Sequence, residues 1–132
     1  MQKIHGELTI QINHNIMEIT AIGPWNMEFF DMLHRELIRS FQQLQQFPYA
    51  TLLTPVGETL AVSEAVDYHI QFLKQAKTTA VAIDLSKSEF ASSTQRLCHD
   101  VYRRAGLTHA FFDDADSARQ WLQQQLQQAK DN

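Results

Sequence analysis

One carboxylate, a few hydroxyls and a ring carry the chemistry this chain could do. Asp84 closes the apolar run Thr79 to Leu85, and a carboxylate at the end of a buried strand is a candidate for a perturbed pKa. Ser86 follows it, Thr54 ends the earlier apolar run from Tyr49, and Ser63 opens a later helical stretch. Trp25 and Asn26 stand where the first helix begins. These six residues make a binding set: a ring that stacks, groups that hydrogen-bond, and one charge. Each also has a structural role open to it, with Trp25 as an apolar anchor, Ser63 and Asn26 as helix caps, and Asp84 as a turn acceptor.

No catalytic set can be assembled beside them. Cys98 and His99 offer a thiol and a base, but neighbours on a helix point about 100° apart, so Cys98 reads as a buried structural thiol. His5, His14, His34, His69, His99 and His109 are spread one per element. None pairs at i, i+4, so no metal site is expected. Phosphate loops, Gly-x-Gly-x-x-Gly and Gly-x-Ser-x-Gly are missing. The chain is therefore expected to be no enzyme, with no catalytic residues and no cofactor.

The charge balance narrows the partners. Fifteen acidic against 11 basic residues give a net charge of −4, and Arg103-Arg104 is the one adjacent basic pair. Neither nucleic acid nor an anionic membrane is matched by that surface. A single cysteine excludes an intrachain disulfide. Met1 to Gly6 lacks the apolar run of a signal peptide, and no apolar stretch approaches the ~20 residues that span a bilayer. A cytoplasmic protein without stable membrane insertion is expected. At 132 residues the chain is expected to be a single domain over 1–132.

The positioning elements follow from periodicity. Leu8, Ile10 and Ile12 alternate with polar residues, and Ile16 to Ile22 follows across Asn13-His14-Asn15, giving a hairpin. From Asn26 the period lengthens: Phe29, Leu33, Leu37, Phe41 and Leu44 form one helical stripe that ends at Pro48. Tyr49 to Thr54 reads as a buried strand bounded by Pro55 and Gly57. Ser63 is expected to cap a second helix with Val66, Ile70 and Leu73 inside. Thr79 to Leu85 is another strand. Ser92 or Ser93 starts a third helix that ends at Gly106. Leu107 to Phe112 is the last strand, and Asp113 to Ser117 caps a final helix with Ala118, Trp121, Leu122 and Leu126 inside. The fold class is α/β: a mixed, largely parallel sheet of about five strands with four helices, in the order β-β-α-β-α-β-α-β-α.

In an open parallel sheet, ligands bind outside the carboxyl ends of the strands. Trp25, Asn26, Thr54, Ser63, Asp84 and Ser86 all map to that edge, where converging helix N-termini would favour a small anion.

The order of elements, with Gly23-Pro24-Trp25-Asn26 and the ending Phe111-Phe112-Asp113-Asp114-Ala115-Asp116-Ser117-Ala118-Arg119-Gln120-Trp121-Leu122, resembles the SpoIIAA-like family of the STAS group, over about Leu8 to Leu126. The resemblance implies a regulatory or ligand-binding module without a defined reaction. Antagonists of that group carry an Asp-Ser-Ser-Gly-like string, with a phosphorylated serine, at the start of the second helix. By element order that place is Ala61-Val62-Ser63-Glu64, which keeps the serine but not the aspartate or glycine. Glu64 would also repel an added phosphate. A textual rival, Ile83-Asp84-Leu85-Ser86 to Ser93, sits one strand later.

The functional expectation is a non-enzymatic binding or regulatory module, recognising a protein partner or a small anionic or apolar ligand at the carboxyl edge. A lipid or small apolar-ligand carrier of Sec14-like type is the alternative, and a small enzyme the second. An exposed apolar helix face would allow a homodimer.

Overall fold

The computed structural model describes residues 7–132, so His5 and the start of the chain lie outside it. Alternating apolar residues lay down β1 (Glu7–Asn13) and β2 (Ile16–Ile22), which pair antiparallel with Ile10 opposite Ile19. At the turn His14 takes the left-handed conformation, φ 59°. Asn15 instead donates through Nδ2 to the Pro48 carbonyl at 3.1 Å, tying the turn to the strand that follows.

The remaining elements are α1 (Met27–Phe41), β3 (Ala50–Val56), α2 (Ser63–Leu73), β4 (Val81–Asp84), α3 (Ala91–Ala105), β5 (His109–Phe112) and α4 (Ala115–Asp131). The sheet order is β1-β2-β3-β4-β5, with β2 to β5 parallel. Each crossover therefore moves one strand in the same direction. Right-handed crossovers of that kind place every connecting helix on one face. Phe29, Phe30 and Leu33 of α1, Val66 and Ile70 of α2, and Cys98 and Val101 of α3 duly share one core with Met17, Ile19, Leu53 and Ile83. Only α4 follows the last strand, and it packs on the opposite face.

That second contact is close because its residues are small. Ala50, Ala80 and Ala82 of the sheet side meet Ala118, Leu122 and Leu126 of α4, all buried. Trp121, expected inside, is half-buried and leans on Phe112 with ring centroids 5.7 Å apart.

Local chemistry sets most element ends. Asn26 caps α1 by accepting the Phe29 N–H at 2.9 Å, Gly106 closes α3 in the left-handed conformation, and Asp114 caps α4 through the Ser117 N–H at 2.7 Å. Several boundaries differ from the sequence reading: β4 and β5 are shorter than the runs read for them and α1 ends at Phe41, and three others carry a physical reason. β3 runs through Pro55 to Val56, because past Leu53 it pairs with β2 alone and is locally an edge, where a missing N–H is tolerated. α3 begins at Ala91 after Phe90, with no side-chain cap. Val62, not Ser63, holds the cap position of α2, again without a side-chain bond.

Leu122→Ala removes a fully buried side chain between α4 and the sheet. It should lower unfolding free energy by about 2–5 kcal/mol in urea titrations. Val62→Ala, at an exposed position, should stay within about 0.5 kcal/mol of the parent. Equal effects would mean that α4 is not docked as described.

Candidate functional site

Three helices cover one face of the sheet, while a single helix covers part of the other. The outward residues of β1 and β2 on that second face, Thr9, Gln11, Glu18 and Thr20, are polar. Alongside α4 they form the floor of a groove of about 350 Å³, which continues over Thr54 and Asp84 to Ser86 and Lys87 at the carboxyl end.

One ion pair joins the two walls. Arg119 of α4 donates from Nε to one Glu18 carboxylate oxygen at 2.8 Å and from a terminal nitrogen to the other at 2.9 Å. Hydrogen bonding from Arg119 holds the Glu18 carboxyl below its ordinary range, and the same bond raises the guanidinium. Such a bidentate geometry fixes orientation as well as charge.

Asp84 is only 3% exposed, yet it lines this groove. It is on the α4 side because β4 alternates: Val81 and Ile83 face the three helices, Ala82 and Asp84 face α4. One oxygen accepts the backbone N–H of Ser86 at 2.9 Å. The carboxylate thus anchors the backbone of Ser86 at the groove mouth. Asp114 at the groove's end is held below its ordinary range by the Ser117 N–H that it caps.

The structure therefore brings together Thr54, Asp84 and Ser86, but not the other three expected residues. Asn26 is occupied as a cap. Trp25 is buried on the opposite face, stacked on Phe29 at 6.0 Å and edge-on to Phe30 at 6.4 Å. Its backbone N–H donates to Leu60 at 2.9 Å. Ser63 is exposed as the first residue of α2 and caps nothing. Parity divides the set: α1 and α2 start on the face that right-handed crossovers impose, whereas Thr54 and Asp84 point to the other.

The carboxyl edge is locked by contacts that sequence spacing could not show. Thr94, on α3, is fully buried and shares hydrogen bonds of 2.9 Å with the hydroxyls of Thr59 and Ser88. Gly57 exchanges backbone bonds with Lys87 and Glu89. Gly23 lies against the same loop, where a Cβ would come within 1.7 Å of the Glu58 carbonyl. Lys87 and Ser86 are thereby held at the groove mouth by a braced loop.

Histidines distant in sequence also meet. His34 of α1 and His69 of α2 are buried, with ring nitrogens 2.8 Å apart. Phe72 stacks on His34 at 3.9 Å and Phe30 on His69 at 4.4 Å. At the surface above them the Tyr68 hydroxyl donates to Asp31. Burial drives both imidazoles to the neutral form, lowering their pKa values from 6.5. Cys98 is buried as expected, and burial pushes its thiol up to about 12, far from a reactive thiolate. No group of three metal-ligating side chains occurs among the described residues, nor is any helix there long and apolar enough to cross a membrane.

These layers define a SpoIIAA-like α/β fold. A crystal structure of a DUF3478-family protein with that fold, from Shewanella loihica PV-4, matches over 92% of this chain and 98% of its own, with a TM-score of 0.64 and 15% identity. At that identity the likeness shows the fold, and function has to be argued from the site. No protein-family model and no curated protein matches the sequence.

Neutral buried histidines bind fewer protons than their unfolded counterparts, so stability is full above about pH 6.5 and lost as the pH falls. Between pH 6.5 and pH 5 the loss is about 2 kcal/mol for a histidine that stays neutral in the fold, as His69 does. Urea unfolding at the two pH values should show it, and His34→Gln with His69→Gln should flatten the slope. An equally steep slope in that double variant would remove the pair as its cause.

Proposed function

We propose that this chain is a non-catalytic binding or regulatory module that seats a small polar ligand in the groove beside α4. The observation that carries the reading is the convergence of Thr54, Asp84 and Ser86 with Lys87 and the Glu18–Arg119 pair in one cleft. Its volume of about 350 Å³ falls at the lower end of small-molecule sites, ~300–1,000 Å³.

The lining indicates what would fit. Glu18, Asp84 and Asp114 face Lys87 and Arg119, and Arg119 is already engaged by Glu18. Threonine and serine hydroxyls supply donors and acceptors between them. A zwitterion or a polyol, with donors for Asp84 and acceptors for Lys87, satisfies that set better than a bare anion. Non-catalysis rests on Asp84 bonding the Ser86 backbone and on the thiol of Cys98 being inert. Carriage of a lipid tail gains no support from the core: the apolar cavity between the sheet and α1–α3 is about 60 Å³, below the ~300 Å³ of ordinary ligand pockets.

Native mass spectrometry of protein purified gently from its own host tests this. A small-molecule adduct is expected on the parent chain and lost in Thr20→Trp, which fills the groove floor, with far-UV circular dichroism unchanged. An apo mass for both proteins, or an adduct that Thr20→Trp retains, would sink the reading. Turnover that disappears with Asp84→Asn would replace it with an enzymatic one.

A further inference from the structure

A second recess lies on the far edge of the sheet, away from the groove. Ser92, Gln95, Arg96 and His99 fall at i, i+3, i+4 and i+7 of α3 and so share one helical face. His109 and Phe111 alternate onto the same face of edge strand β5. Together the six line an open trough of about 660 Å³.

Its composition is unlike the rest of the molecule. Acidic residues outnumber basic ones 15 to 11 in this chain, yet no carboxylate lines the trough. Arg39, Arg103, Arg104 and Arg119 each hold a carboxylate. Among the described residues Arg96 holds none, and it is exposed at the trough.

The two histidines fix each other's tautomers. His109 Nδ1 lies 2.9 Å from the Leu107 carbonyl, which can only accept, so Nδ1 carries the proton and Nε2 is an acceptor. His99 Nδ1 sits 3.0 Å from that Nε2 and must therefore donate to it. The other nitrogen of His99 is left with a lone pair. The charged neighbours along α3 are Arg96, Asp100 and Arg103, with Asp100 taken by Arg103 and Arg104. From β5 no charge intervenes before Asp113, and the ring centroid of buried Tyr102 lies 5.8 Å from that of His109.

We propose that this trough binds the phosphate of a small phosphoester, with Arg96 as its charged donor, Ser92 and Gln95 as neutral ones, and Phe111 under the apolar part of the ester. Arg96 argues against a transition-metal ion on the histidine pair, since the guanidinium repels it and no carboxylate offsets the charge.

Titration of the whole protein with phenyl phosphate, read by the His99 and His109 ring signals in NMR and by calorimetry, tests the proposal. Saturable binding is expected, weakened about tenfold or more in Arg96→Gln, a loss of ~1.4 kcal/mol, with melting temperature unchanged. Phe111→Ala should erase the preference for phenyl phosphate over inorganic phosphate. Absence of saturable binding, binding indifferent to Arg96→Gln, or equal affinity for inorganic phosphate in the parent chain would overturn the proposal. So would zinc chloride binding that displaces phenyl phosphate and is lost in His109→Gln. Thr20→Trp, which blocks the other groove, should leave phenyl phosphate binding intact, so the two sites stand or fall separately.

Discussion

Every feature of this molecule rests on the one-way order of its sheet. Each parallel strand is laid beside the one before it, so right-handed crossovers stack α1, α2 and α3 on a single face. The opposite face has one helix to cover five strands. α4 docks over β3 and β4, where alanines let it approach, and buries Ile16 at the start of β2, while β1 and the rest of β2 stay largely uncovered there. Bare strands must carry polar residues, which is why Thr9, Gln11, Glu18 and Thr20 read polar in sequence. The groove is the uncovered remainder of a sheet that ran out of helices.

The Glu18–Arg119 pair crosses that remainder and is partly solvated, so its net worth to stability is small, about 1 kcal/mol or less. Its consequence is geometric: it fixes the rotation of α4 relative to β2. The hydroxyl cluster of Thr59, Ser88 and Thr94 acts similarly at the carboxyl edge, binding two loops to the first turn of α3. Stability comes instead from the two apolar layers, where Phe29, Ile70, Ile83, Leu122 and Leu126 are almost wholly buried.

Much of this was legible residue by residue. Alternation gave the hairpin, and the 3.6-residue stripes gave the helices. Asn26, Gly106 and Asp114 marked ends because each satisfies backbone groups within its own turn. Pro55 misled because the cost of a missing N–H depends on whether a neighbouring strand is there to miss it. Ser63 misled for a related reason: a serine caps only from the position before the helix, and the path of the preceding loop sets that position. Among the six candidate residues, local pattern identified those at the carboxyl edge but not which face each would take.

Sequence by itself determined the class of fold, the order and type of its elements and the burial of its single cysteine. These depend on periodicity, composition and contacts within a few residues. Tertiary structure alone decided which residues meet. Thr54 joins Asp84 across 30 positions, Glu18 meets Arg119 across 101, and His34 finds His69 across 35. A side chain's type is written in the chain, but its partner is chosen by the face and the register in which distant strands and helices come to lie.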